Sequence, residues 1–576
     1  MIRGILENSI KNALWELKID EAKIPKITLE HPEDISRGDY STNIAMVLSK
    51  AVAQNPRELA ESIVAEIKNN KPKEIERVEM AGPGFINFFL SEAFFAEQIK
   101  DIIKNEKTFG NNKKLKGQKT VIEYTDPNPF KEFHIGHLMS NTIGESVSRI
   151  IEANGAKIIR ACYQGDVGLH VAKTIWGVKK MIAEDSKNKK KFFDIKQGSA
   201  LWGKAYAVGA KAYEADEIAK KEITEINKKV YTKSDKEINK IYAVGRKASL
   251  KAFDKMYKIL GTKFNNFFFE SQSTKFGTDI VEKNINNGVF ERSNGAVVFK
   301  GENYGLHTRV FINSEGLPTY EAKDLGLAKL KDNTLHYDKS IILTANEQSA
   351  YFTVLLKAMS LIFPDLAEKT EHVSHGMLRL PSGKMSSRTG DVVSALSLLK
   401  DIEDRVMEKM TERNMTKKEK AKVAEWISVA SLRYSILKQM TGKDIIFDFD
   451  KSLSFEGDSG PYLQYAYARA KSVLRKATKE RIKINPKKLD NNLSEIEKII
   501  YRFPEVVERA GDEYAPNYIA TYLIQLSSAF NGYYANNKIV DKEDKNSAYR
   551  LSITKAFSIV LKNGLNLLGI SAPEKM

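Results

Sequence analysis

The chain has 576 residues, 42% hydrophobic and 29% charged, values that exclude a fibre and a largely disordered chain. Cys162 is the single cysteine, which excludes an intramolecular disulfide framework, a multi-cysteine zinc site and an iron–sulfur cluster. Lysine plus arginine number 91 against 74 acids, a formal charge of +17; this suits a polyanionic partner, nucleic acid or anionic membrane, and equally a lysine-rich codon bias.

At about 150 residues per domain, this length makes three or four domains. No apolar run reaches the ~18–20 residues of a bilayer span. The opening residues, Met1-Ile2-Arg3-Gly4, lead into a polar pattern with Glu7, Lys11, Glu16 and Lys18. No secretory signal is expected there, and a cytoplasmic protein is. The first 110 residues read as a small α/β unit. Residues 56–69 have a proline start and helical apolar spacing. Residues 78–90 read as a turn at Ala81-Gly82-Pro83-Gly84 entering an apolar strand. Residues 109–119, rich in glycine, asparagine and lysine, form the first linker.

A second unit starts at Val121-Ile122-Glu123-Tyr124-Thr125, a short strand. Turn residues Asp126-Pro127-Asn128-Pro129 follow, then a helix from about His137 to Ala153, stopped at Asn154-Gly155, and a strand from Ile158 to Tyr163. This order is a βαβ unit and predicts a parallel sheet. Further strands are expected at 296–299, 309–312 and 340–344, and a helix at 351–363. Between about 178 and 262, alternating charges at helical spacing predict a solvated helical insertion. Lys187–Lys191 within it reads as an exposed loop. From about 420 the chain is helical, with an irregular glycine-containing entry at 445–460. The last 136 residues hold ten of the 23 tyrosines, and residues 471–488 carry eight basic side chains against Glu480. This composition fits either core packing with a solvated lysine face or a surface on which RNA bases stack.

Two segments carry chemistry. The first, Asp126 to His137, lies between a strand and a helix N-terminus, where ligands bind in open α/β sheets and unpaired N–H groups suit phosphate. His134 and His137 share a helical face, and Gly136 between them leaves room for a flat ring. An ATP cradle or a two-histidine metal site fits this pattern; the spacing is not that of the zinc-protease motif. The second segment, Gly383-Lys384-Met385-Ser386-Ser387-Arg388-Thr389-Gly390, sets two cations and three hydroxyls in a glycine-bounded loop that could close over a triphosphate.

Together, His-Ile-Gly-His and Lys-Met-Ser-Ser-Arg some 250 residues later resemble the signature pair of class I aminoacyl-tRNA synthetases. The surroundings resemble arginyl-tRNA synthetases in particular. The similarity is carried by Asp126-Pro127-Asn128-Pro129-Phe130-Lys131-Glu132-Phe133, by Gln164-Gly165-Asp166-Val167-Gly168, and by Phe455-Glu456-Gly457 with Gly460 to Arg469. It continues through the terminus Leu568 to Met576, and at the other end through Gly38-Asp39-Tyr40 and Gly82 to Phe88. It spans nearly the whole chain, in order.

The resemblance implies a Rossmann-type α/β catalytic domain over 113–440, with the insertion at about 178–262. It also implies an α/β N-terminal domain over 1–112 that touches the tRNA elbow, and an all-α anticodon-binding domain over 441–576. The implied activity is arginine–tRNA ligation: ATP and arginine give arginyl-adenylate, and the arginyl group moves to the 3′-terminal ribose of tRNA. His134, Gly136, His137, Lys384, Met385 and Ser386 are implied for ATP, with His134, His137, Lys384 and Arg388 catalytic. The second lysine of the usual loop is replaced by Ser387, and Lys131 is implied to substitute for it. Asp126, Asn128, His137, Glu270, Tyr320, Asp324 and Gln348 are implied for arginine. Carboxylates are what a planar guanidinium needs. Magnesium with ATP, no zinc, no membrane and a monomer are expected. His372 and His375 read as scaffold. A cysteinyl-type enzyme would need zinc-binding cysteines, and a non-catalytic tRNA-binding paralogue is favoured by Ser387 alone.

Overall fold

The structure, a computed structural model, describes residues 2–195, 199–380, 394–410, 415–487 and 493–576. The contacts divide it into two compact units. One comprises Met1–Phe109, Arg469–Phe503 and Gln525–Leu561; the other comprises Gly110–Ala468, Pro504–Ile524 and Lys562–Met576.

The first unit holds a three-stranded antiparallel sheet of β1 (Tyr40–Thr42), β2 (Ile75–Ala81) and β3 (Phe85–Leu90), in the order β1-β3-β2. Gly82 and Gly84 turn the β2–β3 hairpin at φ of 56° and 127°, a region that side chains resist. The helix Pro56–Asn69 starts where the sequence predicts, with Pro56 in its first turn and Asn55 capping Arg57 N. Its buried Leu59, Ile63 and Ile67 meet Leu6, Ile10 and Leu14 of the helix Ile2–Glu16 in one core, which also takes in Tyr501. Elsewhere in this unit, the rings of Phe530 and Phe557 stack at 3.9 Å. The Tyr549 hydroxyl donates to Glu497 Oε1 at 2.6 Å. Among the C-terminal tyrosines, 467, 501, 522 and 549 are buried, so packing accounts for these four; Tyr534 is 42% exposed.

The second unit is built on β4 (Lys119–Glu123), β5 (Lys157–Gln164), β6 (Asn266–Phe269), β10 (Lys339–Ala345) and β11 (Thr370–His375). They form one sheet in the order β11-β10-β4-β5-β6, every neighbouring pair parallel. The strand order reverses between β4 and β10. In such sheets a crevice opens outside the carboxyl ends at the reversal. The expected strands at 296–299 and 309–312 form as β8 (Ala296–Phe299) and β9 (Arg309–Ile312). With β7 (Glu291–Ser293) they make a separate antiparallel sheet rather than joining the parallel one. Short connections such as 294–295 allow hairpins, whereas parallel neighbours need a crossover.

The insertion consists of the helices Lys187–Phe193, Ser199–Ala215, Glu217–Thr232 and Lys236–Leu260. Lys187–Lys191 is therefore helical rather than a loop: Phe192 is fully buried and anchors the turn, while the lysines stay exposed. The bundle is solvated on one side only. On the other, Phe192, Trp202, Ile223 and Ile241 share a core with Val171 and Ile175, and with Phe130 of the loop after β4. Among the described residues, no helix is long and apolar enough to cross a membrane.

Candidate active site at the strand-order reversal

The loop that leaves β4 is strained. Thr125, Asp126 and Phe130 have φ of 80°, 43° and 70°, although none is glycine. Such conformations persist only where the surroundings over-determine them. Here Thr125 N donates to Ser140 Oγ (2.9 Å), Tyr163 N donates to Asp126 Oδ1 (2.7 Å) and Phe130 N donates to Ser249 Oγ (2.9 Å). The loop is thus pinned by the helix Ile135–Ala153, by β5 and by the insertion.

His134 caps the helix Ile135–Ala153. Its Nδ1 accepts from Gly136 N at 3.1 Å, and His137 Nδ1 accepts from His134 N at 3.1 Å. A backbone N–H can only donate, so both Nδ1 atoms are bare and each neutral ring carries its proton on Nε2. The two rings stack with centroids 3.7 Å apart. Burial, then the charge of Lys131, pulls His134 down to about 4. Burial, then His134 and Lys131, holds His137 well below the usual range. The pair therefore offers two neutral Nε2–H donors beside a helix N-terminus, a place suited to phosphate oxygens.

A cavity of about 720 Å³ opens at the ends of β4, β10 and β11. Asp126, Asn128, His134, Gly136, His137 and Gln348 line it, as do His375 to Arg379. Six of the sequence-predicted residues thus meet across 222 positions of chain. Burial raises the Asp126 carboxyl well above the carboxylate range. His375, read from the sequence as scaffold, also faces this cavity; its Nδ1 bonds Gly376 O at 2.7 Å. His372 sits apart, stacked on Phe352 at 4.1 Å.

Glu270, Tyr320 and Asp324 do not line that cavity. Glu270 meets Asn128 at Gly165: a β-carbon there would strike Asn128 Oδ1 and lie 2.8 Å from Glu270 Oε1. Glu270 is also paired, since Lys323 Nζ donates to its Oε2 at 2.8 Å. Burial raises the Glu270 carboxyl, and Lys323 offsets part of that. Burial works against the Lys323 ammonium, but the charges of Glu270 and Tyr231 and the hydrogen bonds to both together outweigh it, so its pKa is raised. Asp324 accepts from the Tyr351 hydroxyl at 2.6 Å, and burial pushes its carboxyl up to about 7. Tyr320 is 60% exposed at the start of the same helix, Tyr320–Leu335. Lys384, Met385, Ser386 and Arg388 lie outside the described residues.

Asp166 organises this corner. Fully buried, it accepts from Arg246 Nε (2.9 Å), Tyr242 Oη (3.0 Å), Ser271 N (2.9 Å) and Ser271 Oγ (2.8 Å). It thereby ties the insertion helix to the residue beside Glu270. Lys323, Tyr351 and Asp166 escape a reading for site residues. Lys323 sits inside the Tyr320–Asp324 segment as one more lysine, and Tyr351 inside an apolar helix. Asp166 stands in a quoted motif, but nothing local says what it holds.

Comparison with known proteins agrees with this geometry. Residues 98–449 match the family described as tRNA synthetases class I (R), catalytic domain. Residues 4–90 match the arginyl tRNA synthetase N terminal domain, and 463–576 the DALR anticodon binding domain. The chain is 32% identical over 566 residues to an arginine–tRNA ligase of Fusobacterium nucleatum, covering 96% of each. It is 33% identical over 558 residues to one of Clostridium acetobutylicum, covering 95% of this chain and 96% of that one. Its fold is similar to the arginyl-tRNA synthetase of Thermus thermophilus, with a TM-score of 0.79 at 24% identity and full coverage of both chains. The one from Plasmodium falciparum gives 0.79 at 22% identity, over 100% of this chain and 99% of that one. With the catalytic match spanning more than half its length, the chain belongs to the class I arginyl-tRNA synthetases, the arginine–tRNA ligases.

Proposed function

We propose how the residues of this chain divide the arginine–tRNA ligase reaction. Arginine and ATP give arginyl-adenylate, and the arginyl group passes to the 3′-terminal adenosine of tRNA. ATP enters as its magnesium complex, a substrate. The Nε2–H groups of His134 and His137, with the helix N-terminus and Gly136, take the phosphates. As an arginine carboxylate oxygen attacks the α-phosphorus, negative charge builds on the departing pyrophosphate, and Lys131 lies beside the histidines to receive it. We assign Lys384, Met385, Ser386 and Arg388 to the same triphosphate on sequence grounds. Asp126, Asn128 and Gln348 hold the α-amino and carboxylate ends. Asp324, Glu270 and Tyr320 receive the guanidinium.

One observation carries this reading. Two neutral imidazole donors line the cavity together with Asn128, and the buried Glu270 carboxylate meets Asn128 at Gly165. The matched ranges, 4–90, 98–449 and 463–576, support the order of three domains, which we bound at 1–112 for a tRNA-elbow domain, 113–440 for the catalytic domain and 441–576 for the anticodon-binding domain. A cytoplasmic monomer without zinc completes the proposal.

ATP–pyrophosphate exchange with each amino acid, with and without total tRNA, tests it. Exchange with arginine alone, appearing once tRNA is added, is the expected result. Exchange with another amino acid removes the pocket assignment. No exchange under any condition, with tRNA still bound, turns the chain into a binding protein.

A further inference from the structure

One wall of the cavity at the strand-order reversal is the run His375 to Arg379. Its last two residues form a short strand, β12 (Leu378–Arg379), paired in parallel with β13 (Ile445–Ile446). β12 also meets the helix Ile135–Ala153, whose first turn carries the two histidines. Backbone bonds hold the wall along its length. Gly376 N donates to Thr441 O (3.1 Å), Ile445 N to Met377 O (2.8 Å) and Phe447 N to Arg379 O (2.9 Å). At Gly376 the chains pass so closely that a β-carbon would lie 2.1 Å from Lys443 O. The wall is therefore built on residues 441–447, which open the region we bound as the anticodon-binding domain.

Asp444 adds a side-chain grip. Its Oδ1 accepts from Met377 N at 2.8 Å, and its Oδ2 accepts from Arg379 Nη2 at 2.6 Å. One carboxylate thus fixes both the backbone and the guanidinium of the wall, through bonds that charge makes short and directional. Arg379 is the one lysine or arginine among the described residues that line the cavity. Burial holds the lining histidines, His134, His137 and His375, below the ordinary imidazole range, so they add no charge near neutral pH. Asp444 takes one terminal N–H of the Arg379 fork. The Nε–H is buried and meets no acceptor among the described residues. A buried charged donor without an acceptor is costly, and a nucleotide seated in the cavity supplies one.

We propose that Arg379 is a nucleotide-binding residue of this cavity and that Asp444 is its positioning residue. The carboxylate holds the guanidinium and the Met377–Arg379 backbone together, and the remaining N–H groups of the fork meet an acceptor of ATP, on the triphosphate or on the purine. A planar guanidinium suits either acceptor and brings a full positive charge to a strongly anionic substrate. The entry to the C-terminal helices thereby becomes part of the ATP site. This inference deepens the reading of the cavity as the ATP site and rests on it.

The test uses the full-length protein and calorimetric titration with ATP, without arginine or tRNA. Arg379→Leu is expected to raise the Kd for ATP about tenfold, and Arg379→Lys to recover part of the loss. In arginine- and tRNA-dependent exchange, Arg379→Leu raises the KM for ATP to match and leaves the KM for arginine unchanged. The Arg379 and Asp444 side chains are 40% and 38% exposed, and so exposed a pair contributes little to stability, which makes these variants fit to assay. Asp444→Asn keeps an acceptor for Met377 N and loses the charge that holds Arg379. It should raise the Kd for ATP about threefold, and combined with Arg379→Leu it should be no worse than Arg379→Leu alone. Adenosine as ligand assigns the acceptor: an unchanged Kd in Arg379→Leu places it on the triphosphate, a matching rise on the purine. An ATP Kd within about twofold of wild type in Arg379→Leu overturns the binding role while the cavity reading stands. Losses that multiply in the double variant overturn the positioning role. An equal rise in the KM for arginine overturns both roles, because it marks collapse of the wall. No ATP binding by wild type removes the cavity reading, and the inference falls with it.

Discussion

Lys323 Nζ and Glu270 Oε2 lie 2.8 Å apart, and neither side chain is more than 6% exposed. Glu270 therefore meets any incoming guanidinium with its charge already balanced, whereas Asp324 has no ion pair among the described residues and accepts from the Tyr351 hydroxyl. Asp324→Asn is expected to raise the KM for arginine at least about thirtyfold, the range for removing one partner of a buried charge pair. Glu270→Gln raises it less. Steady-state kinetics on both variants decide this, and an equal or larger effect at Glu270 would reverse the ranking.

Lys323→Met leaves the Glu270 carboxylate buried and uncompensated. Breaking such a pair costs about 3–5 kcal/mol, so the denaturation midpoint in guanidinium chloride should fall accordingly. Glu270→Gln combined with Lys323→Met removes both charges and is expected to be the more stable of the two variants. Additive losses in the double variant would deny the coupling.

Asp324, pushed up to about 7 by burial, is expected to make arginine binding depend on pH. Its folded pKa lies above the ordinary ~3.9, so the native state holds the proton more tightly. Its contribution to stability is fully present below about 4 and is lost as pH rises through about 7. Arginine needs the ionised form, so its KM should fall as pH rises to about 7 and level off above. At about pH 6.5, binding releases a proton, seen by calorimetry in buffers of different ionisation enthalpy. Proton release that persists unchanged in Asp324→Asn would assign it to another group.

Lys131 has no ion pair among the described residues, and burial lowers its pKa. Removing it takes away no ion pair, only the contact with the Tyr206 ring at 4.9 Å. Lys131→Ala should keep the denaturation midpoint of wild type while slowing arginine activation on the order of 10²–10³-fold, as for loss of one transition-state contact. Single-turnover formation of the adenylate is the measurement. Near-normal turnover would end the idea that Lys131 replaces the missing loop lysine.

Gly165 borders the proposed arginine pocket through what it lacks. A β-carbon there strikes Asn128 Oδ1 and crowds Glu270 Oε1 at 2.8 Å. Gly165→Ala should displace both and raise the KM for arginine about tenfold or more, with the KM for ATP changing less. A matching rise for both substrates would point to collapse of the strained loop.

Much of this was legible in the residues. The proline start at Pro56, the βαβ order after Val121 and the apolar spacing after Tyr351 are local patterns with periods of 2 or 3.6, and each formed where expected. The paired signatures in chain order named the family before any contact was known. What tertiary structure decided depends on groups far apart in sequence or enclosed by other elements. Lys323 neutralises Glu270 from 53 positions away, Asp166 ties Ser271 to Arg246, and the insertion brings Tyr206 to Lys131. Such contacts leave no periodicity, because only the fold sets their spacing. Protonation belongs with them. The bare Nδ1 atoms of His134 and His137 and the raised carboxyl of Asp324 follow from backbone donors and exclusion of water, and both exist only once the chain has closed around them.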